Sequence, residues 1–189
     1  MWLKPALDLA AALSGPVAAL GLMTVPRLNA SVRLINRDVR FSADKSPYHA
    51  RLHLLLSTGP EFNKVPGVHL VISATRSGCG AGHYGFSPQK MARMRAAICD
   101  AGSQGELLGL LDGAVRQGAI LTPSDFAKLS TELPAGEAWD HLLRRKHLVA
   151  RTPEHLPCPD WLFTEACVPG LVAIVADLAP LSDWCTRFA

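Results

Sequence analysis

Five ionisable side chains and a tyrosine fall within the twelve residues Arg37-Asp38-Val39-Arg40-Phe41-Ser42-Ala43-Asp44-Lys45-Ser46-Pro47-Tyr48. Guanidinium forks bind carboxylate or phosphate oxygens in pairs. Arg37, Arg40 and Lys45 are therefore the candidate ligand-binding cations. A neighbouring carboxylate neutralises and orients such cations or accepts a proton, and a phenol donates one. That makes Asp38, Asp44 and Tyr48 the candidate catalytic groups. The competing reading is a salt-bridged corner that only fixes the fold. His83, in the glycine-rich stretch Gly78–Gly85, joins the ligand-binding set.

Other chemistry is weaker. Gly80-Ala81-Gly82-His83-Tyr84-Gly85 spells GxGxxG, but Phe86, Ser87 and Pro88 separate it from the next helix, and a dinucleotide fingerprint needs the helix to open at the glycines. Close backbone approach within a strand explains the glycines better. Seven histidines invite a metal site, yet no HExxH motif is present and His49 and His53 stand some ~13 Å apart along a strand. His69 and His83 could add to a cross-strand cluster, but no metal is assigned. Cys79, with His83 as base, is a nucleophile only in an exposed, electropositive setting; a small buried hydrophobe is its default role. Arg144-Arg145-Lys146-His147 reads as capping at a helix C-terminus before ligand binding.

These residues must be positioned by a chain of 189 residues with 49% hydrophobic and 19% charged residues and a net charge of +3. That suits one domain, 1–189, with a sizeable core. The mild charge and 6% aromatic content disfavour nucleic acid. Five cysteines without CxxC spacing argue against a zinc knuckle or disulfide framework and point to reduced thiols in a cytoplasm. Met1–Met23 is apolar, but Asp8 and Pro16 interrupt it, so it reads as an amphipathic core helix and no membrane span is expected.

Along the chain, Lys4–Leu13 predicts a helix closed by Ser14-Gly15-Pro16. Ser31–Phe41 predicts a strand with Arg33, Ile35, Arg37, Val39 and Phe41 on one face. Arg51–Ser57 alternates Leu52, Leu54 and Leu56 against Arg51, His53 and Leu55. Val68–Ala74 is a third strand, and Gly78–Tyr84 pairs with it in an antiparallel meander. Ser87-Pro88 caps a helix with Met91, Met94 and Ile98 as its apolar stripe and Arg93 and Arg95 on a solvated face. Helices follow at Gly105–Arg116, Ser124–Leu129 (short, leading to Leu133-Pro134) and Glu137–Lys146. A short strand at His147–Arg151 precedes helices at Asp160–Cys167 and Leu171–Leu178, parted by Pro169-Gly170. The fold class is α+β: an antiparallel β-meander packed against helices, with a mainly helical C-terminal half.

The run RDVRFSADKSPY resembles the signature of the domain of unknown function 2461 family of bacterial proteins, an RDxRF segment followed by DK-(S/T)-P-Y. Gly80–Pro88 with Arg95, Ala97 and Ile98, the stretch Leu142–Val149, and Ala179–Trp184 resemble further family segments in the same order. The resemblance implies an α+β fold and no established activity. It also implies that the chain starts after an N-terminal segment that relatives carry. Leu34 stands where relatives place an arginine, with Arg33 the nearest substitute.

Two functions follow as expectations. One is an enzyme or binding protein for a small phosphate- or carboxylate-bearing anion, with unknown cofactor and no assigned oligomeric state. The other is a non-catalytic module that contacts protein or nucleic acid through the basic strand. A concave site with converging tips favours the first, a flat face with diverging tips the second.

Overall fold

In the computed structural model, residues 3–62, 64–128, 139–153 and 156–189 are described. The polypeptide opens with helix α1, Leu3–Ala18. It runs through Ser14-Gly15-Pro16 instead of ending there. A proline in the last turn forfeits one backbone bond, while Leu13 and Val17 on either side of it are fully buried and hold the turn in place. The end comes at Gly21, at φ +73°, where Gly21 N–H donates to the Ala18 carbonyl (3.1 Å) and Leu22 N–H to the Val17 carbonyl (3.1 Å). This is a Schellman closure.

Three strands form the expected meander: β1 Arg51–Ser57, β2 Gly67–Ser73 and β3 Arg76–His83. After them come helix α2 (Pro88–Cys99), helix α3 (Ala101–Arg116), β4 (Ile120–Leu121), the short helix α4 (Asp140–Leu143), β5 (Leu148–Arg151), β6 (Leu156–Pro157), a 3-10 turn at Asp160–Phe163 and helix α5 (Cys167–Phe188). The sheet runs β1-β2-β3-β5-β4, with β6 also on β3, and every pairing is antiparallel. The architecture is α+β.

Alternation decides which face is buried. Leu54, Leu56, Val68, Leu70, Ala81, Leu148 and Ala150 face the helices and belong to the main core. Helix α5 packs on β2 and β3 and against α1, α2 and α3. By length and composition α5 could cross a membrane, yet Leu171, Val175, Leu178, Leu181 and Trp184 are buried in the core, and Trp184 Nε1 donates to the Ser103 carbonyl at 3.1 Å. The expected break at Pro169-Gly170 is absent. Pro169 lies in the first turn, where its missing N–H has no partner to lose. Gly170 lets the Trp161 ring approach so closely that a Cβ would sit 2.5 Å from it.

Other expectations are corrected. Ser31–Phe41 is not a strand. Ser31 and Arg33 pair with Leu55 and His53, but Ile35 and Arg37 pair with His49 and Pro47, two residues out of the first register. The segment thus lies along the free edge of β1 without laddering to it, and Phe41 ends 96% exposed. Arg95 is not solvated: its Nε donates to the Leu143 carbonyl at 3.0 Å and its guanidinium stacks over Phe126. At the C-terminal side, Asp160–Cys167 yields only the 3-10 turn. The Ser87 cap, accepting from Lys90 N–H at 3.3 Å, and the buried Met94 and Ile98 match expectation. Of the predicted helix Glu137–Lys146, only Asp140–Leu143 is helical among the described residues, and Ser124–Lys128 is irregular; residues 129–138, Leu133-Pro134 among them, lie outside those described.

Candidate functional site

The loop that follows Asn36 spends its charges on itself. Arg37 pairs with Asp44 and donates to Ser42 Oγ at 3.3 Å. Arg40 pairs with Asp38 through two nitrogens, at 2.9 and 2.6 Å, with both side chains mostly in solvent. Lys45 Nζ donates to the Val39 carbonyl at 3.1 Å. The Ser46 hydroxyl and N–H, together with Arg37, hold the Asp44 carboxyl far below the ordinary carboxylate range; the Arg40 guanidinium and N–H lower Asp38 as well. Carboxylates so held are weak proton acceptors. Tyr48 is 57% exposed. Arg37 and Asp44 meet, and Asp38 and Arg40 meet, but the two pairs and Tyr48 line none of the groove described next. His83 does.

That groove covers the sheet face turned away from the helices. Gly78, Gly80 and Gly82 recur at period two on β3 and leave a stripe without side chains. Leu55, His69, Gly80 and Arg151 form one row across four strands. His69 and Arg151 therefore flank bare backbone about 10 Å apart, two strand spacings. The glycines are required by the pairing. A Cβ on Gly80 would lie 2.7 Å from Arg151 Cβ and 2.8 Å from the Ala150 carbonyl, and one on Gly82, at φ +124°, only 2.0 Å from the Leu148 carbonyl. The antiparallel partners exclude a dinucleotide βαβ unit.

Three hollows adjoin along this trough. The central one, about 250 Å³, is bounded by Arg51, His53, His69, Tyr84, Val149 and Arg151 over Gly78 and Gly80. A second shares His69, Tyr84 and Val149 with it and adds Arg33, Phe62 and His83. A third shares Arg51 and His53 and adds Asn29, Arg33 and His49. Leu55, packed with Ala30 and Phe62, closes one end. Arg33, Arg51 and Arg151 thus line the hollows, and no aspartate or glutamate among the described residues does. Neither the Arg51 nor the Arg151 guanidinium forms an ion pair or hydrogen bond among the described residues.

At the centre, His53 Nε2 and His69 Nδ1 face each other at 2.8 Å, with ring centroids 5.1 Å apart. Burial, then His69, Arg33, Arg51 and His49, push His53 down to about 3. Burial and Arg33 push His69 down to about 4. Both are neutral at ordinary pH, so one N–H lies between them. Because their nitrogens point at each other, they do not converge on a shared ion, and no three metal-ligating side chains gather among the described residues. His83, packed on Phe86, is lowered by burial and by Lys90. Cys79 faces the helices, and burial raises it to about 11, so it is a protonated thiol and not an activated nucleophile.

The second basic cluster braces the stretch 122–127. Arg145, 3% exposed, donates to the Thr122 carbonyl, Arg144 to the Ala127 carbonyl at 3.2 Å, and His147 Nδ1 lies 3.3 Å from Asp125.

Reasoning from local charge density missed Arg51, Arg151 and the histidine pair as a group. The signals available were the alternation that puts Arg51 and His53 opposite the leucines of β1 and the period-two glycines of β3.

A family described as a conserved hypothetical protein (DUF2461) matches residues 2–184, and the chain belongs to it. No curated protein and no solved structure matches the chain.

Proposed function

We propose that this protein binds a small anionic ligand, bearing phosphate or carboxylate, in the groove over β1, β2, β3 and β5. The observation that carries the reading is the make-up of the lining: three arginines and the His53–His69 pair around bare glycine backbone, without a carboxylate among the described residues. Two guanidiniums, Arg51 and Arg151, without an ion pair among the described residues favour an oxyanion. A trough of this size takes a small compound and not a chain. Tyr84, 56% exposed at the rim, supplies a hydroxyl for orientation. Calorimetric titration with inorganic phosphate, sulfate and carboxylates tests the reading. Binding lost in both Arg51→Gln and Arg151→Gln, with folding intact, supports it; no binding by wild type refutes it.

A second reading rests on the loop after Asn36. Its charged side chains pair among themselves, Phe41 is 96% exposed, and the Arg40 guanidinium lies 5.9 Å from the Phe41 ring centre. Such a surface suits a contact module without catalysis. A salt-dependent shift of labelled single-stranded DNA or RNA, lost in Phe41→Ser and Arg40→Gln, supports it; no shift removes its nucleic-acid form.

A further inference from the structure

Resting on the groove reading, we infer that its ligand is a doubly charged tetrahedral oxyanion of the phosphate monoester class, and that the His53–His69 pair takes up one proton as this anion binds.

Proton counting at the contact carries the inference. Two neutral imidazoles hold two protons, and the 2.8 Å approach of His53 Nε2 to His69 Nδ1 places one of them between the rings. The outer nitrogens, His53 Nδ1 and His69 Nε2, then share the other. One outer nitrogen donates and the other presents a lone pair, which repels an anion. A third proton, taken from water, turns both outer nitrogens into donors and leaves the inner bond in place as a stronger imidazolium–imidazole bond.

What opposes that proton is burial and surrounding positive charge. Arg33 faces the pair from the segment beside β1, His49 and Arg51 from the β1 side, and Arg151 from across the trough on β5. Tyr84, His83 and Cys79 complete the titratable groups of the lining, and no carboxylate among the described residues is with them. An anion removes the electrostatic part of the opposition, so anion and proton bind with mutual advantage. A monoanion offsets only one of the two charges of Arg51 and Arg151 and leaves the added proton unopposed, whereas a dianion offsets more of both.

Sulfate is the probe, because it stays a dianion across the range used. Methanesulfonate is its singly charged isostere. Titrations at constant ionic strength from about pH 7.5 to about pH 5.5 are expected to show sulfate affinity rising roughly tenfold or more, since one linked proton gives up to about tenfold per pH unit. Paired buffers of different ionisation enthalpy are expected to report net proton uptake at the acid end. Methanesulfonate is expected to bind at least about tenfold more weakly. His53→Gln and His69→Gln are expected to bind sulfate with a flat pH profile. Should either variant fail to fold, imidazole NMR of the wild type with and without sulfate gives the same answer, with the titration of His53 and His69 moving to higher pH when sulfate is present. Sulfate binding with a flat profile and no proton uptake, or equal affinity for methanesulfonate, overturns this inference and leaves the anion reading standing. Absence of binding by either anion overturns both.

Discussion

His53 Nε2 lies 2.8 Å from His69 Nδ1, although neither residue stands opposite the other in the sheet: His53 pairs with Val71, and His69 with Leu55. The contact is diagonal, on the open face, where long side chains of adjacent strands reach each other.

Acid stability follows from that pair. The two imidazoles are held at about 3 and about 4 in the fold, against an ordinary value of 6.5. Between about pH 6.5 and about pH 3 the unfolded chain binds more protons than the folded one, so stability falls as the pH falls through that window. Each imidazole contributes up to about 1.4 kcal/mol per pH unit. Urea unfolding at several pH values above the acid transition is expected to show this loss, and the double variant His53→Gln/His69→Gln a flatter profile. An unchanged slope contradicts the account.

The glycine stripe predicts an ordered series. Gly82→Ala meets the Leu148 carbonyl and an unfavourable φ, and is expected to destabilise by about 2–4 kcal/mol. Gly80→Val, crowding Arg151 and the Ala150 carbonyl, is expected to destabilise by about 1–3 kcal/mol and to abolish anion binding. Gly15→Ala, in the last part of α1 with nothing within 4 Å of its Cβ, is expected to stabilise by about 0.5–1 kcal/mol. Denaturant midpoints of the three variants check the order.

Much of the fold is legible in the sequence, and the reason is visible residue by residue. Leu52, Leu54 and Leu56 alternate with Arg51, His53 and Leu55, and this period specifies β1 and its buried face. Ser87-Pro88 announces α2 by local capping chemistry. The misreadings share one cause: a local signal outweighed by packing. Pro16 and Pro169-Gly170 look like helix ends, yet the turns around them are held by buried Leu13, Val17 and Leu171. The groove is not legible in the sequence because Arg33, Arg51 and Arg151 are distant along the chain and line one trough only in the folded protein. The dense charges from Arg37 to Lys45 stand in a loop that pairs them among themselves.

The self-neutralised loop has its own expectation. Arg40 and Asp38 are paired in solvent, and exposed pairs contribute about 0–1 kcal/mol. Arg40→Ala is expected to leave the denaturant midpoint and sulfate affinity within error of wild type. A large loss of sulfate affinity in this variant would move the site back to the loop.

Arg145 is expected to behave in the opposite way. Its guanidinium is buried, it donates to the Thr122 carbonyl, and burial lowers its proton affinity against the opposing pull of Asp125. Arg145→Ala leaves the Thr122 carbonyl and Asp125 without this partner and is expected to destabilise by about 2–4 kcal/mol. Anion affinity of the folded fraction is expected to stay unchanged, read by urea unfolding and calorimetry together.

The most direct measurement of the central claim is an anomalous difference map from crystals soaked in selenate, a heavy-atom mimic of sulfate and phosphate. A peak is expected over Gly80 between His69 and Arg151, within reach of Arg51 or Arg33. Peaks confined to the stretch from Arg37 to Tyr48, or an empty groove at selenate concentrations that saturate other protein anion sites, would contradict it.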